Sequence, residues 1–268
     1  MSFSLSEDLA FARSLADAAD AVTTARFRVD DLDVNRKADD SEVTDADLAC
    51  ERQLRELIAA ARPDDTVYGE EYGGQREPGR AWIVDPIDGT GNYFRGVPIY
   101  ATLIALVVDG VPVVGVVSAP LLARRWWAAT GLGAFGAFNG SAPRALHVSA
   151  TERLADGFVS VGSLRDQWDL TGDGDAALRL MRLAHRSRML GDFLPYMLVA
   201  DGSVDAVAEP DLKPYDMAAL VPIVTEAGGR FTDFAGEPTI WTGTAIASNG
   251  VLHDEVRSVI RGQDAPLA

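Results

Sequence analysis

Four acidic stretches stand where carboxylates could act together: VTDAD with Asp45 and Asp47, GEE with Glu70 and Glu71, DPIDG with Asp85 and Asp88, and YDMAA with Asp216. All-oxygen donor sets suit hard cations such as Mg2+, which take one or two protein carboxylates and leave water and substrate phosphate to complete the octahedron. Each stretch alone has a plainer reading, as a helix cap, a surface pair or an acidic turn. Together, a Glu after a strand, two Asp flanking a proline turn and an Asp opening a helix could supply two adjacent ions. Two metals about 4 Å apart suit in-line displacement at phosphorus. Gly89 and Thr90 follow the DPID pair directly, and their backbone N–H groups would hold a phosphate if they begin a helix. Such an arrangement would suit metal-assisted phosphoryl transfer.

Composition narrows the partners. The chain has 268 residues and a formal net charge of −16, which argues against a phosphate-backbone partner such as nucleic acid. The same field would repel an anionic substrate, and bound cations would reverse it locally. The first twenty residues carry acids where a secretory segment needs an unbroken apolar run. The longest apolar stretch, IYATLIALVVDGVPVVGVVSAPLLA, is broken by Asp109-Gly110 and by prolines, so it reads as a hairpin and not as a membrane span. The single cysteine, Cys50, excludes an intrachain disulfide and reads as a small packing residue. The expectation is a cytoplasmic protein with no membrane partner.

The elements that must position these residues follow from periodicity and punctuation. Leu9, Ala12, Leu15, Ala16, Ala19 and Val22 predict a helix over 5–27. TDADLACERQLRELIAAARP predicts a second, with Thr44 or Asp45 as N-cap and Pro63 closing it. Between them, DDLDVNRKADDSEV reads as a loop or short hairpin. AWIVD, YATLIALVV, VPVVGVVSAP, RRWWAAT and GAFGAFNG read as meandering antiparallel strands, with Trp126, Trp127 and the GAFGAF phenylalanines in the strand core. After SAPRALHVSAT the pattern alternates strand and helix, and YDMAALVPIVTEAGG reads as one helix closed by glycine. RGQDAPLA reads as a frayed tail. The expected class is α/β, with a metal-binding α+β half at 1–146 and an α/β half at 147–268 that completes the active site.

WIVDPIDGTGNY and YDMAALVPIVTEAGG resemble the two signatures of the inositol monophosphatase superfamily, Mg2+-dependent and lithium-sensitive phosphatases. GEE lies at the family's spacing, and KADDSEVTDAD is similar to its mobile metal-binding loop and activating Asp. The resemblance covers roughly residues 5–262. It implies a layered αβαβα sandwich of the inositol monophosphatase / fructose-1,6-bisphosphatase type, antiparallel in its first half and mixed in its second, assembled as a homodimer. It also implies two or three Mg2+ ions. Glu70, Asp85 and the Ile87 carbonyl would hold the first, and Asp85, Asp88 and Asp216 the second. Glu70 would share a third. Asp47 and Thr90 would orient and deprotonate the attacking water, and the Gly89 and Thr90 amides would bind phosphate.

Several positions depart from the family pattern. Tyr215 stands where Trp is usual, and Gly91 where Thr is frequent. Asp192 replaces a small residue near the substrate alcohol, and Glu209 matches an acid that contacts substrate hydroxyls. Arg188 reads equally as a structural residue or as a substrate or dimer contact. Asp192 beside Glu209 favours a cationic leaving alcohol. With GDFLPYMLVADG, that pair is most similar to the actinobacterial histidinol-phosphate phosphatases of the superfamily. The implied reaction is hydrolysis of L-histidinol phosphate to L-histidinol and phosphate, in histidine biosynthesis. Inositol-1-phosphate is the alternative substrate, followed by fructose-1,6-bisphosphate or adenosine 3',5'-bisphosphate. A metal-loaded binding protein would not need Asp47. His147, His185 and His253 lie too far apart in sequence to suggest a metal site, and at least two read as surface residues.

Overall fold

Ser4 opens the first helix, α1 (Leu5–Arg26): its hydroxyl accepts from the Glu7 amide, and the Glu7 carboxylate accepts from the Ser4 amide. The computed structural model describes residues 4–37 and 41–262. Two compact units emerge, Met1–Ala145 with Ala218–Ile223, and Leu146–Met217 with Val224–Ala268. The expected tail beyond Gly262 and residues 38–40 of the acidic loop lie outside the described residues.

In the first unit, β1 (Val34–Arg36) and β2 (Glu42–Thr44) form an antiparallel ribbon, so the stretch read as loop or hairpin is a hairpin. Thr44 caps α2 (Asp45–Ala61), which stops one residue short of Pro63. Then follow β3 (Thr66–Gly69), β4 (Arg80–Asp88), α3 (Thr90–Phe94), β5 (Ala101–Val108), β6 (Val111–Ala119), β7 (Arg124–Ala129), β8 (Gly133–Phe138) and β9 (Arg144–Ala145). β3 to β9 make one seven-stranded sheet in chain order. Every pairing is antiparallel except β3 with β4. The sequence reading has no strand at 66–69. That run is short and lies at a sheet edge, so it shows little periodicity.

Alternation builds the core. Trp82 and Val84 of β4, Ile104 and Leu106 of β5, and Val114 and Val116 of β6 face α1 and α2. Ala12, Leu15, Ala16 and Ala19 return the contact from α1, and Cys50, Leu54 and Ile58 from α2. Cys50 is the packing residue expected of it. Trp126 and Trp127 are buried, but Phe138 is 54% exposed, with the Arg124 guanidinium 5.1 Å over its ring.

The second unit carries β10 (Phe158–Val161), α4 (Asp169–Thr171), α5 (Gly174–Leu183), β11 (Arg186–Arg188), α6 (Leu194–Ala200), β12 (Ala206–Pro210) and α7 (Pro214–Met217). The chain then continues through α8 (Leu220–Glu226), β13 (Arg230–Thr232), β14 (Thr244–Ser248) and α9 (His253–Ile260). The sheet order is β11-β10-β12-β14-β13. β10 is parallel to both neighbours, and β14 is antiparallel to both of its own. Antiparallel-dominated first and mixed second, the sheets match the expected class. The YDMAALVPIVTEAGG helix is interrupted at Ala218 and Ala219. Pro222 is the reason: it has no N–H to give the Ala218 carbonyl, and its ring would crowd that carbonyl in a continuous helix.

Candidate active site

In a regular strand, residues three apart face opposite sides of the sheet. Asp85 and Asp88 escape that rule. Asp85 pairs with Leu103 and Asp88 with Ala101, three steps on β4 against two on β5, so the strand bulges between them. Pro86 has no N–H for the ladder and suits that position. The bulge carbonyls find side-chain partners: Pro86 O accepts from Thr102 Oγ1 at 2.8 Å, and Ile87 O from Thr90 Oγ1 at 3.0 Å. Carboxylate oxygens of Asp85 and Asp88 come within 4.8 Å of one another, with Asp85 only 2% exposed.

Past the last β3–β4 pair, Gly69 with Val84, the Glu70 amide donates to the Val84 carbonyl at 3.3 Å. This sets Glu70 beside the start of the bulge. Lys37 Nζ bridges Glu70 Oε1 at 2.7 Å and Glu71 Oε1 at 2.9 Å. Burial and the neighbouring Glu70 charge push the Glu71 carboxyl up to about 7, against the pull of Lys37. Glu70, Asp85, Asp88 and the Ile87 carbonyl offer hard oxygen donors and no nitrogen or sulfur. That donor chemistry fits Mg2+.

Asp47 is fully buried in the first turn of α2. Its Oδ2 accepts from the Thr44 amide at 2.8 Å and the Thr44 hydroxyl at 2.5 Å. Its Oδ1 faces the Thr90 hydroxyl at 3.2 Å. Burial pushes the Asp47 carboxyl up to about 6. The Thr44 bonds resist that rise, the Glu70 charge adds to it, and Thr90 opposes it. The result is a carboxylate more basic than usual, held at both oxygens. Thr90 opens α3 after Gly89, whose φ of 90° and ψ of 37° lie in the left-handed region that favours glycine. Gly89 O already accepts from the Asn92 and Tyr93 amides. A Cβ on Gly91 would meet nothing within 4 Å, so the departure from threonine there has no steric cause.

In the second unit, Glu209 lies on β12, 2% exposed. Its Oε2 accepts from Tyr196 Oη at 2.9 Å, while its Oε1 is buried with no hydrogen-bond partner among the described residues. Burial pushes this carboxyl up to about 8; the Tyr196 bond opposes the shift, and the Asp192 and Asp216 charges add to it. Asp192 is half-buried, and burial raises its carboxyl to about 6. It follows Gly191, and both sit at positive φ, 52° and 72°. Phe193, the residue before α6, already has helical dihedrals and makes no side-chain cap bond. Asp216 lies in α7, where its Oδ2 accepts from the Lys213 amide at 2.7 Å. Arg188, on β11, is exposed and donates to the Ser187 carbonyl at 2.7 Å.

Three groups were not singled out from the sequence. Lys37 has no local signal, because its partners lie more than thirty positions away. Tyr196 sits in the quoted GDFLPYMLVADG, but only the fold brings it to Glu209. Glu51 had a readable signal: it lies four residues after Asp47, on the same helix face. His147 and His185 are exposed, the two surface histidines expected, and His253 is buried.

Known proteins resemble this chain over nearly its whole length. The histidinol-phosphatase of Mycobacterium tuberculosis is 50% identical over 251 residues, 93% of this chain and 96% of that protein. The histidinol-phosphatase of Streptomyces coelicolor is also 50% identical, over 93% of this chain and 95% of its own. Among solved structures, the IMPase of Thermotoga maritima superposes with a TM-score of 0.84 at 35% identity, covering 96% of this chain and 97% of that one. The inositol monophosphatase from Anabaena gives 0.83 at 31%, covering 98% of each. With the inositol monophosphatase family model matching residues 4–264, the chain belongs to that family.

Proposed function

We propose that this chain is a Mg2+-dependent phosphomonoesterase that hydrolyses L-histidinol phosphate to L-histidinol and phosphate. As the signature motifs imply, Glu70, Asp85 and the Ile87 carbonyl would hold one ion, Asp85, Asp88 and Asp216 would hold another, and Glu70 would share a third. The ions neutralise phosphate charge and acidify water when bound. Asp47 takes the proton of the attacking water at Oδ1, the oxygen that faces Thr90 Oγ1. The Thr90 hydroxyl orients that water, and the Gly89 and Thr90 amides receive phosphate oxygens.

The second unit binds the alcohol. The observation that carries the substrate assignment is Glu209 Oε1, buried without a hydrogen-bond partner and electrostatically coupled to Asp192. A buried acceptor of this kind gains most from a charged donor. The ammonium and imidazole of histidinol supply donors that inositol cannot match in charge. The names of the two relatives at 50% identity agree with this substrate. Arg188 is assigned to substrate as well. No helix among the described residues is long and apolar enough to cross a membrane. We place the enzyme in the cytoplasm as a homodimer, which light scattering tests.

The deciding assay is phosphate release with saturating Mg2+ on histidinol phosphate, inositol-1-phosphate, fructose-1,6-bisphosphate and adenosine 3',5'-bisphosphate. Histidinol phosphate should have the highest kcat/KM, and EDTA should abolish turnover. A higher value on inositol-1-phosphate would replace the substrate assignment.

A further inference from the structure

Glu51 is a fully buried carboxylate outside the expected ligand set, and its partners are unusual. Oε2 accepts from the Glu71 amide at 2.7 Å. Oε1 accepts from the Tyr72 amide at 3.2 Å and from Arg55 Nε at 2.8 Å. Arg55 also donates through Nη2 to the Gly73 carbonyl. The turn these groups grip is closed on its other side by the Gly69 amide, which donates to Gly73 O at 3.0 Å. Gly69 itself is pressed against the carboxylate, since a Cβ there would stand 2.0 Å from Glu51 Oε1. The five residues gripped, Gly69 to Gly73, are the ones that carry Glu70 and Glu71.

Two successive amides converging on one anion form a nest, which fixes backbone direction as well as satisfying charge. Asp47 lies one helical turn before Glu51, and both are fully buried. We infer that Glu51 is a positioning residue for metal binding: it ties the Glu70 turn to the helix that carries Asp47, so base and metal ligand move as one body. The inference rests on the reading of Glu70 and Asp85 as Mg2+ ligands. Its content is different, because Glu51 would touch neither metal nor substrate. Arg55 completes the clamp from outside, offsetting the buried charge and holding the far end of the turn. Groups one step removed from a metal orient its ligands, and their loss lowers metal affinity about 10- to 100-fold.

The test is Mg2+ binding followed by titration calorimetry on the full chain, beside melting temperature. Glu51→Gln keeps the shape and removes the charge. Gly69→Ala drives a methyl against the same carboxylate without altering it. Arg55→Met removes the outer support. Each should weaken Mg2+ binding about tenfold or more while the protein stays folded at the assay temperature, and should raise the Mg2+ concentration needed for half-maximal turnover. Leu54→Ala, on the same helix and in the core, should lower the melting temperature and leave Mg2+ affinity unchanged. If Glu51→Gln does not fold, Gly69→Ala and Arg55→Met decide the question. Wild-type affinity in the folded clamp variants, with affinity lost in Asp85→Asn, overturns the role of Glu51 alone. Wild-type affinity in Asp85→Asn overturns the metal reading and this inference with it. Equal losses in Leu54→Ala and Glu51→Gln would mark the clamp as merely structural and also overturn it.

Discussion

Replacing Asp192 with asparagine isolates charge from shape. The backbone dictates the choice: φ at this position is +52°, and asparagine tolerates that region better than serine does. The carboxyl of Asp192 titrates near 6 because it is buried, so at pH 7.5 it is ionised and can attract the cationic end of histidinol phosphate. A charge-assisted hydrogen bond in such a half-buried place contributes about 1.5–3 kcal/mol. That corresponds to roughly ten- to a hundredfold in kcat/KM. Removing the Asp192 charge also eases ionisation of Glu209, which Asp192 opposes. Glu209 then recovers part of the attraction, and the expected loss lies at the tenfold end of the range. Inositol-1-phosphate presents only neutral hydroxyls, so its kcat/KM should change by less than about threefold. The assay is phosphate release on both substrates at saturating Mg2+, with a melting curve for each protein. If both substrates slow by the same factor, Asp192 shapes the fold and does not select the alcohol, and the electrostatic argument fails.

Other perturbations address the metals, the base and the core. Asp85→Asn should abolish turnover with little change in melting temperature, and more than about a tenth of wild-type activity at saturating Mg2+ would sink its place as a ligand shared between ions. Asp47→Asn should lower kcat about a hundredfold or more and leave KM nearly unchanged, since this group acts on water; a change confined to KM would remove it from proton transfer. His253 is buried between Thr232 and Ser248, its nitrogens 2.8 and 2.9 Å from their hydroxyls. Burial lowers its pKa to about 4; the Arg230 and Arg257 charges push the same way, and Asp254 opposes. The unfolded chain therefore binds a proton near pH 6.5 that the folded one refuses. The contribution of His253 is complete above about pH 6.5 and is lost as pH falls through about 4, at most about 1.4 kcal/mol per pH unit. Melting temperatures from pH 7.5 to 5 should fall more steeply for wild type than for His253→Gln, and parallel slopes would exclude this origin.

Much of the site could be read because its residues come in short, dense motifs. Asp85, Asp88 and Thr90 lie within six residues, and the bulge that unites the two acids is signalled by Pro86. The capping Thr44 was equally visible, because a Thr three residues before an acid at a helix start has a local mechanism. What could not be read is what the tertiary fold alone creates. The pairing of Lys37 with Glu70 and that of Tyr196 with Glu209 have no period and no motif. β3 was missed because four residues at an edge bury too little to pattern their types. The break between α7 and α8 was in the sequence as Pro222, but the glycine-closed, apolar run around it outweighed the proline.

The bulge in β4 also bears on how the sheet finds its register. In a straight ladder Asp88 would share a face with Trp82 and Val84, which pack against α1 and α2. An ionised, unpaired carboxylate driven into that apolar layer would cost several kcal/mol. Pro86, which cannot complete the straight pairing, opposes the same alternative through the backbone. A slipped β4 is therefore penalised twice at its C-terminal end, while its apolar N-terminal end offers little to tell one alignment from another. The acids proposed to hold the ions thus also help choose the alignment of the strand that carries them. Exchanging Asp88 for an apolar residue would weaken that discrimination, which is a folding role independent of catalysis.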